Sequence, residues 1–209
     1  MNITAINGSP KLKASASESI IIQMNNLLGN KIKTFHAMQM TQSKTPQDNI
    51  ANILDADILL IVFPLYVDSL PAHLIELLTR LETAASTIIA KPKIYSIVNC
   101  GFIEAEQTAL ALEMIKHFAA RLGLTWGGGI GIGGGGMLSS IDGDWKKGPA
   151  GGIYRALVDM AGNIQNGENT QNIFISPKIP RFLYSILGNW MWKTEAKRNG
   201  VKSLRARPY

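Results

Sequence analysis

Ser9, Lys11, Ser15 and Ser17 bring hydroxyl and ammonium donors together in the stretch from Asn7 to Glu18, NGSPKLKASASE. Donors of these types suit an anion. Ile3, Ala5 and Ile6 form a short apolar run before the stretch, and Ile20, Ile21, Met24, Leu27 and Leu28 recur at helical spacing after it. Ser15 with Glu18 three residues later is a capping box, so a helix starts there. A strand that feeds a glycine-containing loop and then a helix N-terminus makes an anion site, because free N–H groups and the positive dipole end face the loop. The same Ser and Gly also suit a loop that binds nothing, and this stretch alone leaves both readings open. No Gly-Lys-Ser/Thr closes it as in a P-loop, and Gly8 is its only glycine, so it is not a dinucleotide fingerprint either.

Other chemistries lack their residues. His36, His73 and His117 lie far apart, and no Ser-His-Asp set, paired carboxylates or metal-ligand spacing is evident. His73 and His117 fall on predicted helices as surface or packing residues. The single Cys100 excludes an intrachain disulfide framework and a cysteine-ligated cluster. It reads as a small buried hydrophobe, with a redox thiol as the competing reading. Gly129 to Gly134 matches G-x-G-x-x-G, but on a predicted strand with no helix opening at Met137. There the glycines read as room for a loop or partner subunit to approach closely. Asp142 to Pro149 reads as a mobile surface loop, its Lys146 and Lys147 solvated.

The elements that must position these residues alternate. Lys31 to Ala37 makes a short second strand, followed by a polar segment with Pro46 and a short helix through Ile50, Ile53 and Leu54. Ala56 to Phe63 is a nearly continuous apolar run, as a central strand covered on both faces requires. Pro71 then begins a helix through Leu74, Leu77, Leu78 and Leu81. Lys93 to Val98 is a fourth strand, and a helix from about Glu104 to Leu122 follows, with Gly123 as its C′ residue. Trp126 to Gly136 gives a fifth strand and its exit, and Pro149 opens a helix through Ile153, Leu157, Met160 and Ile164. Strands alternating with helices predict parallel βαβ units and a three-layer α/β domain. Ligands of such sheets bind outside the carboxyl ends of the strands, near the switch point. Three punctuated loops, 7–17, 64–70 and 99–106, converge on that edge.

Composition agrees with one main domain. Hydrophobic residues make up 46% and charged residues 17% of 209, a chain able to bury a sizeable core. No apolar run is long enough to span a bilayer, and Met1 leads straight into a strand without a secretory leader pattern; a cytoplasmic protein is expected. Charge is uneven. Phe174 to Tyr209 carries eight Lys or Arg against Glu195 alone, net +7, which leaves thirteen basic and fourteen acidic residues, net −1, in the other 173. We therefore divide the chain into a domain over 1–172 and a basic amphipathic extension over 173–209. Ile179, Phe182, Leu183, Ile186, Leu187, Trp190 and Met191 form an apolar stripe at helical spacing in that extension, with Gly200 as a C′ stop. Such a helix packs on the body or across a dimer, or else makes peripheral contact with an anionic membrane. A nucleic-acid role would rest on charge alone, and none is expected.

Taken together the loops resemble those of flavodoxin-like NAD(P)H-dependent FMN reductases. Asn7-Gly8-Ser9-Pro10-Lys11 with Ser15 and Ser17 resembles their phosphate loop. Pro64-Leu65-Tyr66-Val67 before Leu70-Pro71-Ala72 resembles the second flavin loop, and Asn99-Cys100-Gly101-Phe102 with Glu106 the third. The resemblance spans about residues 1–165. It implies a flavodoxin-like fold with a five-stranded parallel sheet in the order 2-1-3-4-5, helices on both faces and a C-terminal helical extension. It also implies bound FMN, NAD(P)H as co-substrate, a small-molecule acceptor such as a quinone or flavin, and a homodimer. Carried over by position, Ser9, Lys11, Ser15 and Ser17 hold the phosphate with the Ala16 N–H, where many relatives have Asn in place of Ala16. Pro64, Leu65, Tyr66 and Val67 pack on the flavin ring. Asn99, Cys100, Gly101, Phe102 and Glu106 belong to the loop along its edge. Two contrasting roles are a non-enzymatic FMN electron carrier for a protein partner and a flavodoxin-like domain that has lost flavin.

Overall fold

The computed structural model describes residues 1–42, 47–85, 91–141 and 144–201. These fall into two compact units that divide between Pro177 and Lys178. The first contains strands β1 (Ile3–Asn7), β2 (Ile32–His36), β3 (Ile58–Pro64), β4 (Lys93–Asn99), β5 (Trp126–Ile132) and β6 (Ile173–Ile175). Its helices are α1 (Ala16–Leu27), α2 (Ala37–Gln42), α3 (Gln47–Leu54), α4 (Ala72–Ala85), α5 (Ala109–Arg121) and α6 (Gly151–Asn166).

The strands form one sheet in the order β2-β1-β3-β4-β5-β6, with every neighbouring pair parallel. Alternate side chains of each strand enter two separate cores, as the two-residue period of a strand demands. Ile3, Ala5, Leu60 and Val62 pack with Ile20 and Met24 of α1 and with Ile153 and Leu157 of α6. Ile6, Leu59, Ile61 and Phe63 face the other way, toward Leu74 and Leu77 of α4 and Leu112 and Ile115 of α5. The chain winds from β1 to β2 in one direction and returns to β3 on the other side, so the switch point lies between β1 and β3.

The sheet has six strands, which corrects the five expected. The sixth, Ile173–Ile175, lies in the stretch assigned to the extension and pairs Ile130, Gly131 and Ile132 of β5. Three residues before a proline are too few to show alternation, and their pairing follows from the open edge that β5 offers. A second correction concerns the segment after β5. Trp145 is 2% exposed and belongs to the core beneath α6, so its part of that loop is anchored by a large apolar side chain. Asp142 and Gly143 lie outside the described residues, as does Pro46. The predicted long helix near Glu104 begins instead as a 3₁₀ turn, Ala105–Thr108, before α5, and Gly123 (φ +66°) ends it in the left-handed conformation.

Among its described residues the second unit holds one helix, α7 (Arg181–Arg198), with Asn199 as C-cap and Gly200 at φ +78°. None of its residues is buried. Among the described residues no helix is long and apolar enough to cross a membrane.

Candidate functional site

At the carboxyl end of β1, side chains fold the backbone into successive turns. The Ser9 N–H donates to Asn7 Oδ1 at 3.0 Å, and the Lys11 N–H donates to Ser9 Oγ at 3.2 Å. Gly8 is required by packing: a Cβ there would lie 2.7 Å from Phe63 Cβ and 2.8 Å from a Leu74 methyl. The loop closes at Ser15, whose Oγ accepts the Glu18 N–H at 3.0 Å as the N-cap of α1. The Ser19 N–H reaches the Ser15 carbonyl. Among the described residues no hydrogen bond takes the N–H groups of Ala16 and Ser17, so both remain as donors at the positive end of α1. Lys11 and Lys13 stand exposed on the rim.

The three serines are all buried and all accept hydrogen bonds. Ser9 Oγ takes the Lys11 N–H, Ser15 Oγ the Glu18 N–H, and Ser17 Oγ the Asn99 side-chain amide at 3.1 Å. A hydroxyl has one donor and two acceptor sites. The protein supplies a donor to one acceptor site of each, and each O–H is free to donate, the polarity an anion needs.

Asn99, the last residue of β4, ties the loops to one another. Its Nδ2 donates to Ser17 Oγ and also to the Phe63 carbonyl at 3.1 Å. Its own carbonyl accepts the Leu65 N–H at 2.7 Å. One buried residue thus sets the start of α1 and the end of β3 through its side chain, and the loop after β3 through its backbone. The β5 exit joins on the far side: the Gly134 N–H donates to the Phe102 carbonyl at 2.6 Å and the Gly135 N–H to the Cys100 carbonyl at 2.7 Å. A Cβ at Gly133 would overlap the Ile103 carbonyl, and one at Gly135 would lie 2.8 Å from Asn99 Oδ1.

The second loop carries strain. Tyr66 and Ser69 exchange both backbone hydrogen bonds at 3.0 Å, closing a two-residue turn over Val67 (φ +50°) and Asp68 (φ +56°). That geometry favours Asn-Gly. Here it is imposed on a β-branched residue, a sparsely populated state that costs on the order of 1–3 kcal/mol. Val67 is 98% exposed, so no packing in the chain offsets that strain. Tyr66 and Phe102 are also exposed, Phe102 at 56%. Gly101 has nothing within 4 Å of a hypothetical Cβ.

Pro64 and Leu65 are half-buried at the mouth of the second loop, and Ala16 at the helix start. Glu106 points to solvent from the 3₁₀ turn. Cys100 turns inward: it is 2% exposed, with its thiol against the Phe102 and Glu104 carbonyls at 3.5 and 3.7 Å. Burial pushes that thiol above its ordinary pKa, a backbone hydrogen bond at Phe102 opposes this, and Glu104 and Glu106 add to it. A protonated, enclosed thiol is chemically inert.

Three contributors lie outside the residues that the sequence assigns to the cofactor. Asn7 supplies the first turn of the phosphate-type loop. His73 reaches from α4 to the Gly8 carbonyl with Nε2 at 3.0 Å, and since a carbonyl only accepts, the ring nitrogen donates. The exit of β5 brings its glycines against Asn99 and the third loop. Asn7 Nδ2 and His36 Nδ1, on register-paired residues at this edge, are buried without a partner. Unsatisfied buried polar atoms are rare. Among the described residues no group of His, Cys, Asp and Glu could hold a metal ion.

No family model matches the sequence, and no curated protein matches it. Solved structures do resemble the fold. An NADPH-quinone reductase from P. pentosaceus aligns over 81% of this chain and 99% of its own, with 16% identity and a TM-score of 0.53. General stress protein 14 from Treponema denticola, in complex with FMN, aligns over 79% and 97%, with 14% identity and a TM-score of 0.54. A flavodoxin from Streptococcus pneumonia aligns over 79% and 99%, with 10% identity and a TM-score of 0.52. The chain has the flavodoxin-like fold.

Proposed function

We propose that this chain is an FMN-dependent NAD(P)H oxidoreductase that passes reducing equivalents to a quinone, flavin or similar small acceptor. The observation that carries this reading is the convergence at the β1–β3 switch point. An anion-binding helix start meets a strained, solvent-facing second loop and an open third loop, all pinned by Asn99. The residues fit FMN by donor type. Uncommitted N–H groups of Ala16 and Ser17, three serine hydroxyls whose O–H can donate, and Lys11 match a phosphate.

When bound, FMN supplies the two-electron chemistry between nicotinamide and acceptor, and the chain supplies binding, orientation and electrostatics. The Lys11 ammonium and the α1 N-terminus hold the phosphate. Pro64, Leu65, Tyr66 and Val67 pack against the ring, and the tight turn at Val67 and Asp68 fixes how far that loop reaches. Gly101 leaves room at the ring edge, Phe102 keeps water from it, and Asn99 keeps the three loops in register. Cys100 shapes the third loop from inside, and Glu106 stands on that loop's solvent side. Exposed Ile75, Leu110 and Met114 along α4 and α5 support a homodimer. An electron-carrier role is the weaker reading, since flavodoxins in that role are strongly acidic and this body is net −1.

The test is the visible spectrum of the purified protein after FMN is added and the excess removed. Retained bands near ~375 and ~450 nm are expected, bleaching on addition of NADPH or NADH. Retained flavin that neither nicotinamide reduces would favour the carrier. No retained flavin would overturn the assignment and leave only the fold.

A further inference from the structure

We propose that α7 is an interfacial docking helix for an anionic lipid surface. Phe182, Leu183, Ile186, Leu187, Trp190 and Met191 recur at three- and four-residue intervals along its first three turns, and every one is exposed. Arg181 and Ser185 occupy the opposite side. Beyond Met191 the same azimuth continues, through Lys193 and Lys197, into basic side chains. The helix therefore presents an apolar stripe that ends in cations. A helix of this pattern lies in the plane of a bilayer, its apolar side chains among the upper acyl carbons and its Lys and Arg at the headgroups. With 18 residues and charged side chains at both ends it is not long and apolar enough to span.

Charge selects this occupant over others. Residues 178–209 hold eight Lys or Arg against one Glu, net +7, and the rest of the chain is net −1. A second copy's α7 would bring the same cations to the contact, and a second copy's body has no opposing net field. An anionic leaflet supplies that field and attracts each nearby Lys or Arg. A nucleic acid would match the charge, but it has no use for Leu, Ile and Met on the same stripe. The aromatic content agrees, since Trp and Phe favour the membrane interface. Lys197 and Arg198 also complement the dipole at the helix C-terminus, which leaves the apolar stripe unexplained. Trp192 lies off the stripe, on the side of Arg181 and Ser185, and serves as an internal control.

The experiment is flotation of the full chain with vesicles of phosphatidylcholine alone or mixed with phosphatidylglycerol, over a salt series. The chain is expected to float with the anionic vesicles, less so as salt rises, and hardly at all with the neutral ones. Ile186→Asp with Trp190→Asp abolishes flotation. Lys193→Glu with Lys197→Glu weakens it by more than about tenfold. Trp192→Phe leaves it unchanged. All of these side chains are exposed, so circular dichroism and the melting temperature of the body stay as in the parent.

No flotation with anionic vesicles overturns the proposal, as does flotation that survives both double variants. Equal affinity for the two vesicle types overturns the choice of an anionic surface. Should the chain ignore vesicles while the Ile186 and Trp190 variant lowers the mass measured by light scattering, the stripe is a contact between copies. Binding to single-stranded RNA without binding to vesicles likewise rejects a lipid surface.

Discussion

The exits of β1 and β5 reach the same edge of the sheet by opposite means. After β1 the backbone is shaped by side chains that are present: Asn7 and Ser9 fold two turns, and Ser15 caps the helix. After β5 it is shaped by side chains that are absent, because Gly133 and Gly135 let the chain lie against Ile103 and Asn99. Hydrogen-bonded turns are tuned one bond at a time and lose about a kilocalorie when one is removed. Close backbone approach has no such gradation. A single methyl group must displace a neighbour, and where that neighbour is main chain the displacement spreads through the loop. The β5 exit should therefore be the more brittle half of the site, although it carries none of the proposed cofactor contacts.

Gly133→Ala tests that ranking most severely. The new Cβ would overlap the Ile103 carbonyl and lie 3.0 Å from the Ala105 N, both backbone atoms, and forcing it in costs roughly 1–3 kcal/mol or more. A fall in Tm of about 5 °C or more is expected by scanning calorimetry, together with loss of flavin from the third loop. Gly136→Ala, where nothing lies within 4 Å of the added carbon, should leave both unchanged. If the two variants behave alike, backbone approach is not what shapes this exit.

Asn99→Leu comes next, because Asn99 is where the two halves meet. Leucine keeps the branching at Cγ but strands Ser17 Oγ and the Phe63 carbonyl, both bonded to Asn99 Nδ2 at 3.1 Å. Leaving buried partners unpaired costs about 1–3 kcal/mol. Denaturant unfolding should register that loss, and FMN titration should show affinity falling by more than the stability change alone explains, since the helix start is then free of β4.

Ser15 separates the cap from the anion site. Ser15→Ala removes the acceptor of the Glu18 N–H and should cost about 1 kcal/mol. Ser15→Asp restores the cap, because Asp and Ser cap almost equally well. It also places a carboxylate beside the phosphate and takes away the O–H donor. The alanine variant should be less stable with a modest loss of FMN affinity. The aspartate variant should be as stable as the parent with a loss above about tenfold, from like-charge repulsion at short range. Equal FMN affinity in the aspartate variant would mean that no anion approaches α1.

This contrast also explains what could be read from sequence. Ser15 and Glu18 announce a capping box by residue type, and Asn7-Gly8-Ser9-Pro10 announces turns, because these side chains act on their own neighbouring backbone. The long apolar run of β3 identifies a central strand for the same local reason. Gly133 and Gly135 reveal only that something is missing there. What fills the space, the Ile103 carbonyl and the Asn99 amide, lies some thirty residues away in sequence. Asn99 gives no local sign of its bonds to Ser17 and Phe63. β6 was missed because its pairing belongs to the exposed edge of β5 rather than to its own three residues. Trp145 has polar neighbours in Asp144 and Lys146, the pattern of a solvent loop, while its ring is held by the core beneath α6.

Val67 gives the smallest expected effect and an opposite sign. It holds φ +50° inside a two-residue turn while 98% exposed, so its strain is unrelieved by any contact within the chain. Asn adopts that region far more readily than a β-branched residue. Val67→Asn should therefore raise stability by roughly 0.5–1 kcal/mol, and Tm by about 2–3 °C. If the side chain packs against the flavin ring, FMN affinity falls as stability rises, because the apolar contact is lost while the turn relaxes. A variant that gains in both would show that Val67 lies outside the binding surface and that its strain only positions Tyr66. Loss of stability without FMN would mean that the turn is held by something other than the exchanged Tyr66 and Ser69 bonds. The first outcome fits a loop whose conformation is maintained for its ligand, since strain of this kind persists where the surroundings, here the bound ring, make use of it.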